Sequence, residues 1–369
     1  MDLWIWQQPE WPNFRWNNEK LAIPLAEARR AQGKALGAAR LLDKAFNDEA
    51  IAAVLAQDSI TTSAIEGERL ELDLVRSSVA RHLGLPTVGM KTPPREVDGL
   101  IEVLLDATQG FETALARSRL IGWQAALFPT GYSGFLFVKT GDLRGQEPMH
   151  VVSLQKGQEH IHFTAPNREI LDEQVDSFLA WFNAVPTIDG LLRAGLAHLW
   201  FITLHPFEDG NGRLARAISD MAMAAEERQP MRVFSLSAQI LLERDGYYGV
   251  LEKTQRGDLD VTAWLLWFLE QVRCAAGNAE NTFRTTIAKA KFWMRHQGPS
   301  ISDRQRKVLH RLLDAGPNGF TSGMNTRKYM SLTKTSRATA YRELTMLVEQ
   351  GCLVQRSAGG RSTAYDIAW

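Results

Sequence analysis

One short segment of this 369-residue chain, TLHPFEDGNGRLARA at residues 203–217, concentrates side chains that could do chemistry. It holds His205, the carboxylates of Glu208 and Asp209, the run Gly210-Asn211-Gly212, and Arg213 and Arg216 three residues apart. An imidazole with an ordinary pKa of about 6.5 is largely neutral near pH 7 and suits general base work. Both glycines can take positive φ and let backbone N–H groups approach a ligand closely. Guanidiniums spaced i, i+3 share a helix face and match phosphate oxygens, while a carboxylate beside them can hold Mg2+. Together these types point to a nucleoside triphosphate held by a backbone nest and two arginines, with Mg2+ at Asp209 and His205 as base. Any one of them alone is what a turn between two helices would carry, so the reading rests on the combination.

Two helices must position this segment. Residues 189–204 carry Leu, Ala, Trp and Phe on several sides, and Pro206 restricts the residue before it, so a first helix should end near His205. RLARAISDMAMAAEE contains no breaker before Pro230, so a second helix should begin at about Gly212. Its first turn would aim free N–H groups and the positive end of its dipole back into the loop.

At every specified position, HPFEDGNGR with Arg216 matches His-x-Phe-x-Asp/Glu-Gly-Asn-Gly/Lys-Arg-x-x-Arg, and the chain resembles the Fic family over residues 115–270. The resemblance implies a mainly α fold, a helical domain with a β-hairpin flap, and adenylylation. In that reaction a Ser, Thr or Tyr hydroxyl of a target protein, or of the chain itself, attacks the α-phosphate of ATP, and pyrophosphate leaves. It implies His205 as base, Asp209 as Mg2+ ligand, Gly210, Asn211 and Gly212 as anion nest, Arg213 and Arg216 on the β- and γ-phosphates, and Phe207 as the loop's anchor. PMHVV and HIHF, flanking SLQKGQE, read as a hairpin between residues 148 and 163. The hairpin resembles the family's flap, which pairs with a target peptide as an added strand and would bring Val151, Val152 and Ser153 near the nucleotide. Tyr248, in YYGVLEKTQ, is placed beside the nucleotide by the same resemblance.

TTSAIEGE at residues 61–68 also resembles a family element, the inhibitory helix Ser/Thr-x-x-x-Glu-Gly/Asn, here Thr62, Glu66 and Gly67 in a helix spanning residues 50–67. The implied role is a brake, in which the Glu66 carboxylate takes the Arg216 fork that the γ-phosphate needs. Some relatives use the same Glu to remove AMP from targets, and the sequence does not separate the two directions. A DNA-binding regulator whose Fic domain senses nucleotide is the other reading left open. His160 and His162 would share a strand face, but no carboxylate or cysteine cluster accompanies them along the sequence, so no metal is expected there.

Around this centre the chain divides by pattern. Residues 1–114 read as an N-terminal helical region, 115–270 as the catalytic domain, 271–298 as a helical linker and 299–369 as a separate module. The stretch GLPTVGMKTPP looks briefly like a phosphate loop, but Pro93 and Pro94 follow where a helix should begin, so it reads as a connection. Four tryptophans between Trp4 and Trp16 are expected to pack on their own domain. The final 71 residues hold 11 Lys or Arg against 5 Asp or Glu, a net +6 that the rest of the chain balances. Three helices and a short hairpin there resemble a winged helix-turn-helix, with Arg337, Thr339, Tyr341 and Arg342 on the third helix and Gly359, Gly360 and Arg361 in the wing. Contact with DNA or with protein is left open, as is a homodimer. Two cysteines, Cys274 and Cys352, are too few for a disulfide framework, and no basic leader or long apolar run occurs. A cytoplasmic protein without a membrane span is expected.

Overall fold

The computed structural model describes residues 3–40, 44–87, 89–155, 158–296, 301–315, 323–356 and 363–369. The chain forms two compact units, Met1–Glu280 and Asn281–Trp369. In the first, a 3-10 turn (Ile5–Gln7) precedes α1 (Asn18–Arg40), α2 (Lys44–Ile65), α3 (Leu72–His82), α4 (Arg95–Gln109) and α5 (Arg117–Leu127). Two hairpins follow, β1 (Tyr132–Ser133) with β2 (Leu136–Phe137), and β3 (His150–Gln155) with β4 (Gln158–Thr164). The unit continues with α6 (Arg168–Asn183), α7 (Gly190–Leu204), α8 (Asn211–Glu227), α9 (Leu236–Leu242) and α10 (Arg244–Gln255). α11 (Thr262–Arg295) then leads the chain onward.

α7 is the centre of the first unit, because every residue from Gly190 to Leu204 except Arg193 is buried, as a helix apolar on all sides requires. Its start is fixed by Asp189, whose side chain accepts from the Leu191 N–H at 2.8 Å. α8 packs along α7 and buries the run from Asn211 to Ala224 apart from Gly212. α4 and α2 cover α8, and α4 meets α5 at Gly99, where an added Cβ would lie 1.9 Å from the Ala126 carbonyl oxygen. Backbone cannot give way there as a flexible side chain would. Gly99→Ala is therefore expected to lower unfolding free energy by about 2 kcal/mol or more. A denaturant midpoint equal to wild type would show that α4 and α5 can separate freely.

The tryptophan-rich N-terminus packs on its own unit. Trp6 donates from Nε1 to the Thr164 carbonyl and Trp11 to Gln174 Oε1, both at 2.7 Å. The Trp11 ring meets Phe14 and Trp200 edge-on, and Trp4 meets Phe163. Arg15 seals the segment by exchanging backbone hydrogen bonds with Leu259 and Val261 at 2.8 Å.

The second unit contains α12 (Asp303–Ala315), α13 (Thr326–Thr333) and α14 (Arg337–Glu349), followed by β5 (Leu353–Gln355) paired antiparallel with β6 (Tyr365–Ile367). Val308, Leu309, Leu312, Leu344, Leu347 and Cys352 are among its core residues. Arg337, Tyr341 and Arg342 of α14 are exposed, and Thr339 is half-buried with its hydroxyl 3.0 Å from that of Ser336. Gly359, Gly360 and Arg361, expected in a wing, lie outside the described residues. Among the described residues, no helix is long and apolar enough to cross a membrane.

Candidate active site

α7 ends as Pro206 demands, and His205 takes the left-handed conformation at φ 48°, ψ 56° just beyond it. Its Nδ1 lies 3.2 Å from the Ile202 carbonyl, which can only accept. Nδ1 therefore carries the proton, and Nε2 keeps its lone pair. The His205 carbonyl accepts from Arg144 Nε at 2.9 Å, and the Arg144 N–H donates to the Pro206 carbonyl at 2.9 Å. Arg144 is almost fully buried, also donates to the Pro166 carbonyl, and is pushed down to about 10 by that burial. Loss of hydration lowers the His205 pKa to about 4, against the raising effect of the Ile202 hydrogen bond. Part of the ring still faces solvent, which tempers that desolvation.

The loop after His205 is held from within. Phe207 is fully buried, and Asn211 clamps its peptide, accepting from the Phe207 N–H at 3.0 Å and donating to the Phe207 carbonyl at 2.8 Å. Glu208 ties the loop to the segment after β2 by accepting the Lys139 N–H at 2.8 Å. The two glycines differ in role from the expectation that both would use positive φ. Gly210 does so, at φ 89°, as the residue preceding α8. Gly212 lies inside the first turn of α8, and the absence of a Cβ there leaves room for Glu66, whose Oε1 would lie 2.1 Å from an added Cβ and would have to shift. Asp209 accepts the Gly210 N–H at 2.6 Å and is half-exposed, so it can still offer oxygen to a cation.

The arginines are both buried, and both meet carboxylates from the turn that follows α2. Arg216 donates from Nε to Thr62 Oγ1 at 2.7 Å, and from one terminal nitrogen to the Thr62 carbonyl at 2.9 Å and Glu66 Oε1 at 2.7 Å. Gly67, with φ 89°, turns the chain so that Glu68 reaches Arg213 at 2.8 Å. Burial raises the Glu68 pKa, opposed by Arg213. Arg213 lies over the Phe128 ring at 4.9 Å and 3.9 Å from Asp209. Even so, among the described residues Arg213 Nε and the second terminal nitrogen of Arg216 are buried without a hydrogen-bond partner of good geometry, although the Tyr247 side chain lies near Arg216. Two unsatisfied guanidinium N–H sites at the start of a helix are a site for an anion with more oxygens than one carboxylate offers.

The Tyr248 hydroxyl donates to the Ile65 carbonyl at 3.2 Å, beside Arg244 Nε at 2.8 Å, and lies near enough to Arg216 and Glu66 to feel their charges. These bonds satisfy a carbonyl at the end of α2. Val151 and Ser153 of β3 are half-buried and Val152 is exposed. Among the described residues, no hydrogen bond joins these three to the 205–216 segment. The expectation that no carboxylate accompanies His160 and His162 is corrected. Glu252 of α10 approaches to 2.7 Å from His162 Nδ1, because the fold lays α10 against β4 across 90 residues of sequence.

Residues 114–223 match the model of the Fic/DOC family, and residues 4–85 match a domain of unknown function, DUF4172. The chain is similar to the protein adenylyltransferases fic-1 of Caenorhabditis elegans and Caenorhabditis briggsae, at 31% and 30% identity over 120 residues. Those 120 residues are 32% of this chain, and the match spans 22% of each relative's length. A crystal structure of a Fic domain-containing signaling protein from Bacteroides thetaiotaomicron shares the fold, with a TM-score of 0.50 at 17% identity, covering 74% of this chain and 97% of that one.

Proposed function

We propose that the Fic domain of this chain transfers AMP from ATP to a protein hydroxyl, and that the turn after α2 holds it in a restrained state. The two buried arginines, each already holding a carboxylate and each with a buried nitrogen that finds no partner of good geometry among the described residues, carry this reading. They flank the α8 N-terminus, where Glu66 already occupies an anion's place over Gly212. The triphosphate would lie along the start of α8 with its outer phosphates on the two arginines. Asp209 would hold Mg2+, which when bound would offset charge on the phosphate oxygens. His205 Nε2 would take the proton of the target hydroxyl as its oxygen bonds to the α-phosphorus. The bond from that phosphorus to the oxygen bridging to the β-phosphate breaks, pyrophosphate leaves, and the target keeps a phosphodiester-linked AMP. Transfer of α-labelled AMP to protein, with Mg2+ present, tests the reading directly.

The brake has two carboxylates where one was expected. Glu66 holds Arg216 and Glu68 holds Arg213, so a γ- and a β-phosphate would each displace one of them. Glu68→Gln, which removes charge but not size, is expected to tighten ATP binding about 3- to 10-fold, the scale of a partly exposed charge-assisted pair. Calorimetric titration with a non-hydrolysable ATP analogue would read this. Equal affinities would place Glu68 outside the ground that the phosphates need.

A further inference from the structure

On the β3–β4 hairpin, side chains from two elements converge with metal-binding chemistry. His160 and His162 point to one face of β4 as alternate residues, and their rings meet edge-to-face with centroids 4.6 Å apart. Glu252 comes from α10, and a ligand atom from each of the three lies within 4.8 Å of the others. We propose that His160, His162 and Glu252 form a site for a divalent transition-metal ion, Zn2+ above all, that fastens the hairpin to α10.

Three features carry the assignment. The donors are two imidazole nitrogens and one carboxylate oxygen, a set that suits Zn2+ rather than Mg2+, with room for water as a fourth ligand. His162 is already oriented for the task. Its Nδ1 lies 2.7 Å from Glu252 Oε2, which can only accept, so in the metal-free chain Nδ1 carries the proton and Nε2 accepts from the Ser153 hydroxyl 2.7 Å away. A metal at Nδ1 would displace that proton, and Nε2–H would then donate to Ser153 Oγ. An outer partner that fixes the ring and its tautomer is the usual companion of a metal-binding histidine. Glu252 divides its oxygens, since Oε1 accepts from Arg256 Nε at 3.2 Å and Oε2 faces His162. Donors around a tetrahedral ion stand about 3.4 Å apart, given bonds near 2.1 Å. The 2.7 Å between His162 Nδ1 and Glu252 Oε2 must therefore open to admit the ion, while His160, which is exposed, can turn in toward both. Arg256 is the neighbouring cation that the ion must tolerate; it is held to the Ile161 carbonyl at 2.8 Å and over the Trp4 ring, and its side chain is 41% exposed, so solvent screens it from the ion.

The site can be tested without ATP or any transfer assay, so its failure would leave the nucleotide reading untouched. The full chain, stripped with a chelator, would be titrated with Zn2+ against a chromophoric competitor and with Co2+ for visible ligand-field bands. One Zn2+ per chain is expected, with Co2+ bands typical of low coordination number. His160→Ala, at an exposed position that should not disturb folding, and Glu252→Gln should each weaken Zn2+ at least tenfold, whereas His150→Ala should not. Stoichiometric binding unchanged in both His160→Ala and Glu252→Gln, or no stoichiometric binding by the wild-type chain, would overturn the proposal.

Discussion

Glu66→Gly is expected to raise AMP transfer by roughly 10- to 100-fold, the worth of one charge-assisted hydrogen bond of about 1.5–3 kcal/mol removed from a competing state. Glu66 Oε1 does two things that a phosphate would have to undo. It occupies a terminal nitrogen of Arg216 at 2.7 Å, and it lies against the Gly212 backbone, where an anion would meet the first turn of α8. Removing the side chain frees both at once. Glu66 follows the last residue of α2, so a glycine there does not sit in a helix interior. The Thr62 hydroxyl and carbonyl still hold Arg216 in place, and the guanidinium gains a vacancy without losing its position. Glu66→Gln should fall between the two, because it keeps the bulk over Gly212 and loses only the charge. Labelled AMP transfer by the three proteins decides the matter: equal rates for wild type and Glu66→Gly would remove the brake from the account. A melting temperature that rises together with the rate would also argue against it, since loss of a partner for buried Arg216 should cost some stability.

The site was legible where local rules act and closed to reading where the partner comes from afar. Pro206 after a long apolar run marks the end of α7, and the absence of breakers before Pro230 marks the extent of α8, so the frame of the 205–216 segment follows from neighbouring residues. Glu66 and Arg216, 150 residues apart, could be paired only because each sits in its own recognisable pattern. Arg144 had no such pattern. Its segment, TGDLRGQEP, reads as an ordinary polar loop, and its role as a buried tie to the His205 carbonyl arises from tertiary packing alone. Glu68 was visible as an acidic residue, but its meeting with Arg213 depends on the turn that Gly67 makes after α2. Glu252 shows the same limit in reverse, since an expectation drawn from nearby residues could not include a carboxylate supplied by α10. Gly212 does not use the positive φ that a glycine allows: it is helical, and what its missing Cβ leaves room for is the side chain of Glu66, which the local sequence could not show.

His205→Ala in the Glu66→Gly background is expected to lower transfer by about 100- to 10,000-fold, the usual contribution of a positioned general base. ATP binding should survive, because the ring's hydrogen bond among the described residues goes to Ile202 and the phosphates would rest on the arginines and α8. The pH profile separates a base from a merely structural ring. Burial lowers the His205 pKa to about 4, so the base-competent neutral form is present above that pH and is lost as pH falls through it. At pH 5.5 most of the rings would therefore be neutral, whereas most unperturbed histidines would be charged. In kcat/KM, which reports the free enzyme, the acid limb should therefore appear near pH 4, far below the ordinary histidine range. Binding of a polyphosphate brings negative charge toward the ring and favours the imidazolium, so the limb in kcat should lie at higher pH than the limb in kcat/KM. Glu66 already raises this pKa in the resting protein, and its removal makes the difference between free and bound enzyme larger. Residual transfer by His205→Ala with the same two limbs would show that another group takes the proton. A flat profile with the large loss expected above would assign the proton to Nε2 of His205.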